Sequence, residues 1–584
     1  MSRGIYHKES NERYTDHRRD SMARRRVGNA VVILRGSGWR VAGFVALGVL
    51  ALLLVLVTLG LWGSNGWLPA FVAGQITPRV AIPADAVVTP PEGETVRATV
   101  AVDEQAVIHT VDERYLSVAV DLSQVTGGKW WNPDAEGTEG GSGTVSAPVF
   151  NFDRPQLNAM VSALSPSYLR IGGSESDKVY YELDERALET DNVPDGYESV
   201  LTGGQWDRLN AFAERNRLDV VFTLNAGPSS RDDEGAWSGD NAAALMEYTA
   251  ARQFPVAVWE LGNEVNNFWY VFETGEQIGA RRYHRDSVHA LELVEELHPS
   301  AAFGGQGAMV WPVLGEPLGL FFGMSVPALR RNSGLQDVVS WHYYPQQSRR
   351  GPIASRKAHP ARLLEPRNLD EVVHWARRFR DARDRHMPDA ELWVGETGNA
   401  QFGGEPRLSD VYLGGLWWLD QLGALAREQH DVVIRQSLTG MNYGLIDETT
   451  LAPRPDFWNS VMWKRLMGPE VLPAVVSSES GDGAKVRAYA HRTAGAPEST
   501  TVLLINLHHD RAAEVTVEAG RPVGSLAVYG FSAPDVYGSE LLLNGVPFRL
   551  SADGEVQEWV ITPVQRAGDT VRLPPLGYAF AVLP

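Results

Sequence analysis

The 584-residue chain carries 44% hydrophobic residues, 57 Gly and 18 Trp, which suits a large buried core with a second, smaller unit and excludes a disordered scaffold. It has no cysteine, which rules out disulfides, thiolate nucleophiles, zinc–cysteine sites and iron–sulfur clusters. The net charge is −19, but the first forty residues hold ten Lys or Arg against four acids, so the rest of the chain stands at −25.

Residues 1–40 read as a basic cytoplasmic tail. From Val41 to Trp62 no charged residue occurs, and at about 1.5 Å of rise per residue a helix of that length spans roughly the 30 Å core of a bilayer. Residues 41–62 are therefore expected to form one transmembrane helix. The basic flank predicts an N-terminus inside and everything after the helix outside the cytoplasm. A cleaved signal peptide is the competing reading, but its apolar region is normally only about 7–15 residues. Residues 63–95 are rich in Pro, Ala and Gly and predict an extended linker. The following TVRATVAVDE alternates with period two, and the same pattern returns in the last hundred residues, so residues 96–115 are expected to join a C-terminal sheet.

Over residues 116–466 short β-rich runs alternate with helix-length amphipathic segments. Eight runs occur: YLSVAVDL, YLRIGG, LDVVFTLNAG, VAVWELGNE, AAFGGQG, DVVSWHYYP, ELWVGET and VVIRQSLTGMNYG. Eight βα repeats predict a closed (β/α)8 barrel of the TIM type, an α/β fold. From Met467 to Pro584 short strands with turn signals and little helix predict a β-sandwich. Trp393, Trp417 and Trp418 lie within apolar patterns and read as core.

Barrel enzymes carry their chemistry at the C-terminal ends of the strands. Asp121, Ser174, Asn225, Glu264, His342, Glu396 and Tyr443 all fall at or just beyond such ends. Glu264 closes the fourth run and Glu396 the seventh, across the barrel mouth. A pair of carboxyl groups so placed suits glycosidic bond hydrolysis with retention, in which one protonates the leaving oxygen and the other attacks the anomeric carbon. Asn263, beside the first, can bond the sugar 2-hydroxyl, and Gln436 can orient the second glutamate or serve as a satisfied interior amide.

The stretches WELGNEVNNFW, LWVGETGNAQFGGEPRLSDVYLGGLWWLDQ, PSYLRIGGSESDKVYY and PDFWNSVMWKRLMG resemble glycoside hydrolase family 79, in the same order over roughly residues 110–470. The WW and NPD around Trp130–Asp134, with DKVYY, are closer to the plant heparanase-like β-glucuronidases than to the animal heparanases. The resemblance implies a retaining β-glucuronidase with Glu264 as proton donor and Glu396 as nucleophile. It also implies that Asp121, Ser123 and Ser174 line the sugar subsite, that His342 and Tyr344 form a wall near the nucleophile, and that Tyr443 meets the uronate carboxylate beside the Gly-rich loop. In that loop Gln401 and Phe402 depart from the animal pattern, while Gly403 and Gly404 remain.

The expected partner is a β-linked glucuronide or glycan. No metal, cofactor or nucleic acid is called for. A charge of −25 beyond the tail argues against a heavily sulfated substrate. The basic stretch Ser348–Arg362 offers either a rim for an acidic sugar or an ordinary solvated loop. Two rival readings are a retaining β-xylosidase or β-glucosidase and a non-catalytic surface glycan-binding scaffold.

Overall fold

The eight apolar runs become eight parallel strands. The computed structural model describes residues 75–88, 93–131, 144–190, 192–272, 277–310, 325–351, 354–478 and 483–584. In it Leu116–Asp121, Ser167–Gly172, Leu218–Leu224, Val256–Leu261, Ala302–Val310, Val338–Tyr343, Glu391–Thr397 and Val432–Gln436 close into a barrel, first strand to eighth in chain order. Nearly every residue of these strands is buried, as parallel strands covered on both faces require. Outer helices return the chain to the bottom of the barrel. One of them, Gly203–Arg215, starts at a capping box in which Thr202 and Gln205 satisfy each other's backbone N–H groups.

Alternation along the strands sorts the interior into layers. Ala119, Tyr168, Val221, Val258, Val338, Trp393, Val432 and Ile434 form one apolar plug. Two residues beyond members of that plug stand Asp121, Arg170, Thr223, Glu260 and Gln436, and His342 stands four beyond Val338. The polar layer thus sits directly above the plug, toward the strands' C-terminal ends.

Two further sheets face each other across an apolar core built from both, including Val100, Val515, Val502 and Leu504. The smaller has the order Ala474–Ser478, Val96–Val102, Ala513–Glu518, Thr570–Leu573. Val96–Val102 runs antiparallel to the first of these and parallel to the third. The larger sheet includes His109–Thr110, Met467–Leu472, Val486–Thr493, Ala496–Asn506, Tyr578–Leu583 and Ser525–Ser532. Residues that precede the barrel and residues that follow it therefore build one sandwich.

Helices Tyr412–Arg427 and Pro455–Leu466 join barrel to sandwich, and this explains why the first is buried nearly all round rather than along one stripe. Gly423 lies so close to the Tyr489 ring that an added Cβ would stand 2.2 Å from it. The Tyr489 hydroxyl reaches past to donate to Asp420 at 2.7 Å. Trp417 and Trp418 are buried here, with the Arg435 guanidinium 5.5 and 5.4 Å from their rings. Trp393 lies instead in the barrel plug.

The 1–40 tail, the 41–62 apolar run and residues 63–74 and 89–92 of the 63–95 linker lie outside the described residues. Among the described residues no helix is long and apolar enough to cross a membrane. The described part of the linker differs from a free spacer, because Ile82, Ala86 and Val87 are buried in the main core. Hydrogen bonds hold it as well: Val536 N donates to Ala84 O at 2.7 Å, and the Gln75 side chain donates from Nε2 to Ala354 O at 2.7 Å.

Arg435 and Asp456 form an ion pair at 2.7 Å with both side chains buried. Removing one member strands the other charge away from water. Asp456→Ala is expected to cost about 3–5 kcal/mol, read as a fall in the denaturant midpoint with the unfolding slope unchanged.

Candidate active site

The chain leaves the fourth strand through two left-handed residues, Gly262 at φ 74° and Glu264 at φ 49°. For a glutamate this backbone is strained, at a cost of roughly 1–3 kcal/mol, and persists only where its surroundings enforce it. Here Asn263 N donates to Asp177 Oδ2 at 2.9 Å, and Asn267 N donates to Glu264 O at 2.7 Å. Asp177 also accepts from Ala226 N at 2.9 Å, tying the loop after the third strand to the same anchor. The result aims the buried Glu264 side chain across the mouth.

Glu396 comes from the end of the seventh strand, paired in register with His342 on the sixth. Its Oε1 accepts from the Tyr344 hydroxyl at 2.6 Å and its Oε2 from Arg170 Nη1 at 3.0 Å. His342 Nδ1 lies 3.2 Å from Glu264 Oε1 and 3.8 Å from Glu396 Oε2. One ligand atom from each of Glu264, His342 and Glu396 lies within 4.8 Å of the others. A cation could use such a trio, but the Arg170 guanidinium already brings a positive charge to it.

Arg170 organises the floor of the site. Besides Glu396 it reaches Glu260 Oε2 from Nε at 2.9 Å and Asn263 Oδ1 from Nη2 at 2.9 Å. Thr223 donates to the same Glu260 oxygen at 3.0 Å. Burial opposes the Arg170 charge, but Glu260 and Glu396 outweigh it and hold the guanidinium protonated. Burial first, and then the Glu396 charge, push Glu264 well above the usual carboxylate range, with Arg170 pulling the other way. Burial and Arg170 together hold His342 well below the ordinary imidazole value, so the ring is neutral.

Asp121 ends the first strand and is pushed up to about 8, chiefly by burial and further by Glu175 and Glu396, against the Ser123 hydrogen bonds. Ser123 donates to it from Oγ at 2.7 Å and from N at 3.0 Å, so Asp121 caps the short helix Leu122–Thr126. Ser174 opens the helical turn Ser174–Lys178 after the second strand. Tyr443 packs with Tyr344 and Met441 at the mouth, its ring 6.5 Å from that of Tyr344. Gln436, at the end of the eighth strand, lies beside the Tyr443 hydroxyl.

The structure thus gathers Glu264, Glu396, Asn263, His342, Tyr344, Tyr443, Gln436 and Asp121 around one mouth. Gln401 turns toward the fifth strand, its Nε2 3.5 Å from Met309 Sδ. Phe402, buried at φ 64°, lays its ring over Gly351. Gly403 O accepts from Asn442 N at 2.9 Å, joining this loop to the one that carries Tyr443. Sequence reasoning missed Arg170, Glu260 and Asp177. A lone charge inside an otherwise apolar strand run, as in YLRIGG and VAVWEL, was the available signal, since buried charges come in pairs.

A barrel with two buried carboxyl groups facing each other at its mouth is an arrangement suited to hydrolysing glycosidic bonds. The family model "Glycosyl hydrolase family 79, N-terminal domain" matches residues 97–423. The chain belongs to glycosyl hydrolase family 79 and hydrolyses glycosidic bonds. Heparanase-like protein 1 of Arabidopsis thaliana is 28% identical over 548 residues, covering 84% of this chain and 94% of its own. Heparanase of Rattus norvegicus is 28% identical over 487 residues, 74% of this chain and 85% of its own. Among solved structures, a GH51 arabinofuranosidase from Xanthomonas axonopodis pv. citri shares the fold at TM-score 0.61 and 15% identity, over 84% of this chain and 100% of that one.

Arg170→Met would leave Glu260 and Glu396 facing each other unpaired, and should cost about 3–5 kcal/mol of stability. Arg170→Lys keeps the charge but loses the fork. It should remain folded by circular dichroism while kcat on an aryl glycoside falls about 10²-fold.

Proposed function

We propose that the protein is a retaining β-glucuronidase in which Glu264 is the proton donor and Glu396 the nucleophile. The observation that carries this reading is the separation of the two carboxylates. A gap of about 5–5.5 Å leaves room for direct attack on the anomeric carbon, whereas inversion needs about 6.5–9.5 Å for an intervening water. Oxygens of Glu264 and Glu396 within 4.8 Å of each other fit the first case.

Glu264, held neutral by burial and by the charge across from it, gives its proton to the glycosidic oxygen. Glu396, kept in place by Tyr344 and Arg170, attacks from the opposite face of the sugar and forms the glycosyl-enzyme. Bond formation removes the Glu396 charge, which lowers the proton affinity of Glu264 and fits it to take a proton from the incoming water. The neutral His342 ring lies against both oxygens and adds no charge of its own. Asn263, its carbonyl oxygen bound to Arg170, presents its amide nitrogen for the sugar 2-hydroxyl.

The choice of glucuronide over xyloside or glucoside rests on the resemblance at Tyr443 and the Gly403–Gly404 loop. The acidity of the chain beyond its tail favours a glycan that is not densely sulfated. The mechanism calls on no cofactor. The site of action is taken to be outside the cytoplasm, with residues 41–62 as a membrane anchor. If so, the full-length protein stays with the membrane fraction after alkaline carbonate washing; release into the wash would end that part of the reading.

With an aryl β-glucuronide, the first product seen by NMR is expected to be the β-anomer. Glu264→Gln should lower turnover by about 10²–10⁴-fold on a poor leaving group and much less on a good one. Glu396→Gln should abolish labelling by a 2-deoxy-2-fluoro glucuronide. Because Glu264 must be protonated, wild-type kcat/KM falls as pH rises through its elevated pKa, and Glu264→Gln loses that alkaline limb. An initial α-product, or two fully active variants, would refute the assignment.

A further inference from the structure

The basic stretch after the sixth strand has a role that its charge alone does not suggest. Arg350 Nη2 donates to Gly404 O at 2.9 Å, in the loop after the seventh strand, and to Asn442 Oδ1 at 2.8 Å, in the loop after the eighth. One guanidinium nitrogen therefore bridges three loops. The next residue back reinforces it, with Arg349 donating from N at 2.8 Å and from Nε at 2.7 Å to the buried Glu405. Ser348 Oγ donates to the same carboxylate at 2.9 Å.

What these bonds hold is an unfavourable backbone. Phe402, Gly403 and Gly404 are consecutive left-handed residues at φ 64°, 78° and 83°, and Met441 is another at φ 58°. A phenylalanine does not keep that conformation without support. The two loops also press together, since a Cβ on Gly404 would stand 2.8 Å from Tyr443 N. Asn442, bonded to Arg350 through its side-chain oxygen, donates from Nδ2 to Asp410 at 3.1 Å and from its backbone to Gly403 O at 2.9 Å. Tyr443 follows directly in the chain.

We propose that Arg350 is a positioning residue for sugar specificity: it clasps the loops after strands seven and eight so that Gly403, Gly404 and Tyr443 together accept a uronate carboxylate. This rests on the glucuronide reading above. Arg350 acts through the loops and not by pairing with the substrate itself. The guanidinium also donates from Nε to Ser348 Oγ at 3.3 Å, which fixes the plane in which Nη2 reaches both loops; an ammonium, a compact point charge on a flexible stem, has no such second hold.

The test compares full-length wild type, Arg350→Ala, Arg350→Lys, Asn442→Ala and the Arg350→Ala/Asn442→Ala double variant on 4-nitrophenyl β-glucuronide and β-glucoside. Hydrogen–deuterium exchange over residues 399–410 and 438–446 is followed in parallel. Arg350→Ala is expected to raise KM for the glucuronide about tenfold, with kcat nearly unchanged, so that the preference over glucoside shrinks by the same factor. Arg350→Lys and Asn442→Ala should behave alike, the double variant should be no worse than Arg350→Ala, and both loops should exchange faster. Restoration of KM by Arg350→Lys would overturn the proposal in favour of direct charge contact. Unchanged KM and exchange in Arg350→Ala, beside a wild type that prefers the glucuronide, would overturn the clasp alone. A wild type that prefers the glucoside would overturn the clasp together with the reading of the sugar.

Discussion

A charge buried in a barrel must be matched at once, and the Arg170 guanidinium is matched three times, by Glu260, Glu396 and Asn263. Everything chemical at the mouth is arranged around it. It fixes Glu396, turns the Asn263 amide, and favours neutral His342 by its own positive field. It also pulls against burial and the Glu396 charge, which raise Glu264. Below it the apolar plug excludes water and strengthens each of these interactions.

Much of this was legible from the amino-acid order. Parallel barrel strands are apolar throughout, so all eight stood out as runs, and polar residues at their ends pointed to Glu264, His342 and Glu396. The charged layer showed only as a lone charge in each run, and an arginine or glutamate within a strand is ordinarily read as a solvent-facing position. Arg170 and Glu396 are partners across 226 residues, and local periodicity carries no trace of such a pairing. The docking of residues 82–87 was hidden for a different reason. A Pro- and Ala-rich segment has no periodic apolar face, and only the shape of the surface beneath shows that Ile82, Ala86 and Val87 find a seat.

The left-handed run at Phe402–Gly404 illustrates the limit most clearly. Two glycines suggest a tight turn, but nothing in the local sequence says that Arg350, some fifty residues earlier, and Glu405 would hold it. Loops at the mouth of a barrel take their conformation from one another as much as from their own residues. Sequence motifs therefore pointed to the two facing glutamates more directly than to the conformation of the loops around them.

The sandwich has a consequence for how the protein is made. Val96–Val102 pairs with Ala474–Ser478 and Ala513–Glu518, and the whole barrel lies between these partners in the chain. During synthesis at about 5–20 residues per second, this strand emerges roughly 20–75 s before its first neighbour. For that time it is an apolar strand with two open edges, the state most prone to wrong pairing. The barrel helices Tyr412–Arg427 and Pro455–Leu466 likewise wait for the sheet that covers them. Neither module can reach its final packing before Tyr578–Leu583 has been made, which gives holding factors a defined interval in which to act.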